Sequence, residues 1–115
     1  MSFLLRARLE FPNAEAIDAA RQALVSEGYT GHADNTLEHT DLKWRGLTLT
    51  VELSGSMPYS CFDISSGVLA TYALHAASGE ALAVNTEDGV GERFLAGGES
   101  EDLEDDEVDA LRPRA

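Results

Sequence analysis

The chain has 115 residues, enough for one domain and too few for two ordinary ones. Apolar residues make up 43% and charged residues 25%, a normal globular balance, yet 21 Asp and Glu against 8 Lys and Arg leave a net charge of −13. That sign argues against gripping nucleic acid or an anionic membrane through a broad basic patch. The single cysteine, Cys61, allows neither an intrachain disulfide nor a thiolate metal cage.

Residues 3–11 alternate, with Phe3, Leu5, Ala7, Leu9 and Phe11 on one face and Leu4, Arg6, Arg8 and Glu10 on the other. Period two over nine residues predicts a half-buried strand, which Pro12 stops because it has no N–H to donate. Asn13 stands where a helix cap belongs, Glu15 favours the positive end of the helix dipole, and Ala16, Ile17, Ala20, Ala23 and Leu24 recur at helical spacing. Gly28 supplies a left-handed stop, with Tyr29 free to fold back on the last turn.

The stretch from Tyr29 to Asn35 reads as a loop or short irregular strand, and the polar run Thr36 to Trp44 as an exposed edge strand. A tight turn at Arg45-Gly46 leads into a second strong strand, where Leu47, Leu49, Val51 and Leu53 alternate with Thr48, Thr50, Glu52 and Ser54. A loop follows from Gly55 to Pro58; Phe62 and Ile64 begin a strand or pack as loop. From Ser65 the apolar residues Val68, Leu69, Tyr72, Ala73 and Ala76 return to helical spacing, capped by Ser65 or Ser66 and ended by Gly79. Ala81 to Thr86, then Asp88-Gly89, then Val90 to Ala96 reads as a closing hairpin.

The order β-α-β-β-α-β-β over residues 1–98 predicts an α+β two-layer sandwich of the split βαβ or ferredoxin-like kind, with both helices on one face of an antiparallel-rich sheet. An α+β roll is the alternative. After Gly97-Gly98, read as a linker, eight acids and no base fall between Glu99 and Asp109. Residues 99–115 therefore read as a mostly disordered acidic tail that repels itself and has only Leu103, Val108 and Leu111 to bury.

No residue pattern amounts to a catalytic signature. His32, His39 and His75 lack the spacing of a zinc site, and His75 lies beside the apolar stripe of the second helix. The neighbours of Cys61, Tyr59-Ser60 and Phe62-Asp63, match no nucleophile motif, so a small buried core residue is the simpler reading. Gly89-Val90-Gly91 is no phosphate loop, because neither Lys nor a helix start follows. Glu87-Asp88 and the acids from Asp102 to Glu107 lack EF-hand spacing. No metal or cofactor is expected.

What remains is charge and a few exposed anchors. The expectation is a small acidic, non-catalytic binding protein, an inhibitor or immunity-type partner of a basic toxin, nuclease or effector, with negative charge speeding capture. Asp34, Glu38 and Asp41 would steer the partner, and Trp44 and Arg45, at a hairpin tip, would anchor it; Trp44 covering the edge of the core is the plainer reading of that residue. The alternatives are an acidic secretion chaperone, or a small enzyme or ligand-binding module using some of Tyr59, Asp63, His75 and Arg93 between sheet and helices. Neither nucleic acid nor membrane is expected as a partner; a dimer is open. The lone thiol, the absence of a secretory signal pattern and the lack of an apolar run near 18 residues point to the cytoplasm, and the seven-to-one excess of Arg over Lys to a GC-rich bacterial source.

Overall fold

The computed structural model describes residues 2–27, 42–56 and 58–111. Within them lie β1 (Ser2–Glu10), α1 (Ala14–Ser26), β2 (Lys43–Arg45), β3 (Thr48–Ser56), α2 (Tyr59–His75), β4 (Ser78–Asn85), β5 (Val90–Leu95), β6 (Ser100–Asp102) and α3 (Asp105–Leu111). The strands form one antiparallel sheet in the order β2-β3-β1-β4-β5-β6. In each helical crossover one strand is inserted between the strands it joins: β3 lies between β1 and β2, and β1 lies between β3 and β4.

β1 lies at the middle of the sheet, paired with β3 on one side and β4 on the other. Leu5 stands opposite Leu53 on β3 and Ala83 on β4, and Leu9 opposite Leu49 and Gly79. Gly79 is required there: it has a φ of +100°, and a Cβ would come within 2.0 Å of the Arg8 carbonyl oxygen. The main core gathers Leu5, Leu9, Leu49, Val51 and Leu69 under the two long helices, all of them fully buried. Asn13 caps α1, its Oδ1 accepting from the Ala16 N–H at 2.8 Å, and the helix turns Ile17, Ala20 and Leu24 inward. Gly28 and Tyr29, and the portion of the expected edge strand before Leu42, lie outside the described residues.

α2 begins six residues before the expected cap. Pro58 occupies the cap position and its carbonyl accepts the first helical bond, from Phe62 N at 3.1 Å. Ser65 and Ser66 sit inside the helix. Their hydroxyls donate back to the carbonyls of Cys61 and Phe62 at 2.9 Å, and Thr71 does the same to Gly67 at 2.8 Å. The hydroxyls that suggest a cap in sequence are thus satisfied one turn back along the helix, so polar residues are tolerated on a half-buried rod.

The larger correction concerns the C-terminus. Gly97 and Gly98, with φ of 92° and 104°, make a tight turn closed by Leu95 N to Glu99 O at 2.7 Å, and β6 returns along β5. α3 then lies across the face of the sheet opposite α1 and α2. Leu103 and Val108 are buried against Leu4, Leu82 and Val84, with Leu111 partly covered beside them. Described residues 99–111 are therefore strand, turn and helix rather than a disordered tail, and the sandwich gains a third layer at this end. Like-charge repulsion is overcome because three apolar side chains meet three on the sheet, and because Arg93 stands among the acids.

Candidate partner-binding surface

Sheet order separates the charges. The stretch 78–111, which supplies β4, β5, β6 and α3, holds twelve of the acids and one cation, Arg93. At the other edge, β2 is Lys43-Trp44-Arg45, and β1 carries Arg6 and Arg8.

Arg93 organises the acidic side. Its Nη1 donates to Glu101 Oε1 at 2.6 Å, its Nη2 to Glu107 Oε2, and its Nε lies 2.6 Å from Glu80 Oε2 as an ion pair too bent for a hydrogen bond. The hydrogen bonds that Arg93 donates to Glu101 and Glu107 hold the guanidinium above its ordinary pKa. In return the Arg93 hydrogen bond holds the Glu107 carboxyl below the usual carboxylate range. One cation thereby ties β4, β6 and α3 to β5.

Between the start of α2 and the β4–β5 hairpin lies an open cleft of about 270 Å³, with Phe62 and Ala83 at its floor and Asp63, Glu92 and Asp102 on its walls. Glu92 and Asp102 stand directly opposite one another on β5 and β6. Tyr59 and Val90, 56% and 58% exposed, flank the mouth. The Tyr59 hydroxyl donates to Asp88 Oδ2 at 3.1 Å, and Asn85 clamps the same Asp88 through Nδ2 to Oδ2 and through its Oδ1 accepting from the Asp88 N–H, each at 2.9 Å. The hydrogen bond and negative charge of Asp88 raise the Tyr59 pKa, so its phenol stays neutral and its ring stays fixed.

The five residues chosen from sequence separate. Asp34, Glu38 and Asp41 lie outside the described residues. Trp44 pairs with Leu49 and faces the helices, 5.6 Å from Phe11 and 5.7 Å from Tyr72 between ring centroids, with the Arg21 guanidinium 5.4 Å above it. It closes the edge of the core. Arg45, the next residue, points to the opposite face, although both residues border one cleft at the β2 edge. Of the alternative pocket residues, Tyr59 and Asp63 line the cleft, His75 sits in the last turn of α2 and Arg93 faces α3. Among the described residues, no three His, Cys, Asp or Glu side chains are placed to hold a metal, and no helix is long and apolar enough to cross a membrane.

The Glu92–Asp102 pair is absent from the sequence reading because it exists only once β6 pairs with β5. The available signal is the alternation Val90-Gly91-Glu92, which puts Val90 and Glu92 on one face of a strand. Comparison with protein-family models, curated proteins and solved structures finds no match.

Proposed function

We propose that this chain is a small non-catalytic binding protein of the inhibitor or immunity type, which holds a basic protein such as a toxin, nuclease or effector against the cleft between the start of α2 and β4, β5 and β6. The observation that carries the reading is the cleft: an exposed aromatic and an exposed valine at its mouth, with Asp63, Glu92 and Asp102 on its walls. An apolar anchor ringed by acids is the complement of an Arg or Lys side chain with its apolar stem. The excess negative charge beyond the cleft would speed encounter, and the single thiol suits a reducing cytoplasm. We read the β2-β3-β1-β4 portion as a split βαβ, ferredoxin-like arrangement extended by β5 and β6, a likeness of architecture that assigns no activity.

The test is association with an Arg-rich probe, fluorescent nona-arginine, and with any basic protein encoded beside this chain, at low and high salt. Asp63→Asn with Glu92→Gln should slow association more than an equal loss of charge at Glu15 and Asp18 on α1. Tyr59→Ala should mainly raise the dissociation rate. Equal effects from the two charge removals would reduce the site to general attraction. A loss confined to Asp34, Glu38 and Asp41 variants would move the contact to those residues.

A further inference from the structure

Half of the cations in this acidic chain stand on one open area of the sheet. Because Leu5, Leu9, Leu49 and Trp44 face the helices, Arg6 and Arg8 on β1 and Lys43 and Arg45 on β2 face the other way. α3 covers that face only over Leu4, Leu82 and Val84. Pairing puts Lys43, Thr50 and Arg8 in one row across three strands, with Arg45 and Thr48 in the row beside it. Together they line a cleft of about 460 Å³, within the ordinary range for small-molecule sites.

Among the described residues, the carboxylates bordering this area each have a partner. Glu80, across from Arg8 on β4, is held by Arg93 at 2.6 Å; Glu52 pairs with Arg6 at 3.2 Å; Glu10 accepts from the Ser78 hydroxyl at 3.2 Å. Among the described residues, Arg8, Lys43 and Arg45 have no ion-pair partner within 4.0 Å. We propose that this cleft binds a small phosphate-bearing ligand. Arg8 and Arg45 offer planar forks that take phosphate oxygens in pairs, Lys43 adds a third positive charge, and the Thr48 and Thr50 hydroxyls supply neutral donors between them. Glu10, Glu52 and Glu80 border the area and oppose a phosphate chain running beyond it, which selects a compact anion over a nucleic-acid strand.

The experiment is an amide chemical-shift titration of the full chain with inorganic pyrophosphate at low salt. Saturable shifts are expected at Lys43, Arg45, Thr48, Thr50 and Arg8. Arg8→Gln and Lys43→Gln should each weaken binding about tenfold, as loss of a charge-assisted contact does. Arg6→Gln, removing a cation already paired with Glu52, should leave affinity within about twofold. The three substituted positions, Arg6, Arg8 and Lys43, are exposed, and unchanged thermal unfolding confirms that each variant folds. Non-saturating shifts, or equal losses in all three variants, would overturn the proposal. So would tighter binding of a short single-stranded RNA than of pyrophosphate, or the same shifts arising from protein concentration alone, which would assign the face to a polynucleotide or to a second copy.

Discussion

Leu4 and Leu5 are neighbours in β1 and both are buried, but under different covers. Leu5 lies in the core beneath α1 and α2, helices of 13 and 17 residues. Leu4 lies beneath α3, seven residues long and carrying four acids, which reaches the sheet through Val108 and Leu111 and through Leu103 just before it. A short, self-repelling helix has no stability of its own. Its order comes from the apolar patch it covers and from Arg93. The expectation is that the first cover belongs to the folding unit and the second is a weaker addition resting on it.

The comparison breaks most visibly in the main core. Leu49→Ala should cost about 2–5 kcal/mol by denaturant unfolding, because it empties a fully buried position opposite Leu9. Trp44→Ala should follow at about 3 kcal/mol, since it removes the ring joining Phe11 to Tyr72; an unchanged midpoint would show that β2 is dispensable.

Cutting after Gly98 should lower stability by about 1–3 kcal/mol and increase dye binding to the newly bared Leu4, Leu82 and Val84, while leaving the fold of residues 2–95 intact. A loss as large as that of Leu49→Ala would make α3 part of the folding unit. Arg93→Met should act on the same layer, raising hydrogen exchange in α3 before the main core responds. The pH dependence follows from Glu107, whose folded-state pKa is lowered. Its contribution is present above the unfolded carboxylate value, near 4.3, and is lost as pH falls through the lower folded value. Acid should therefore release α3 ahead of the core in intact protein, and Arg93→Met should abolish that early step.

The smallest effect belongs to Thr48→Ala. Its side chain projects from the open face, so the expected change is within about 0.5 kcal/mol of neutral. A cost comparable to Leu49→Ala would mean the register is shifted by one residue.

Legibility followed the strength of each local pattern. β1, α1 and the β4–β5 hairpin were readable because alternation, the Asn13 cap and the Asp88-Gly89 turn are short-range signals. The start of α2 was missed because Ser65 and Ser66 resemble caps until their hydroxyls are seen bonding backwards. The candidate site was scarcely legible. Acids read one by one along the chain give no hint that Glu92 and Asp102 face each other beside Asp63, nor that Trp44 and Arg45 part to opposite faces.

By itself the sequence determined an α+β chain with an acidic surplus, two long helices and alternating strands, since these depend on residue periodicity and counts. Tertiary structure decided the destiny of residues 99–111. Their few apolar side chains are too sparse to order alone, and only a sheet that presents Leu4, Leu82 and Val84 on its second face, with Arg93 beside them, supplies the partners. It also decided the charge map. The strand order β2-β3-β1-β4-β5-β6 puts the cations of β1 and β2 towards one edge and the acids of β5, β6 and α3 at the other, an arrangement set by which strands pair and not by any residue's neighbours in the chain.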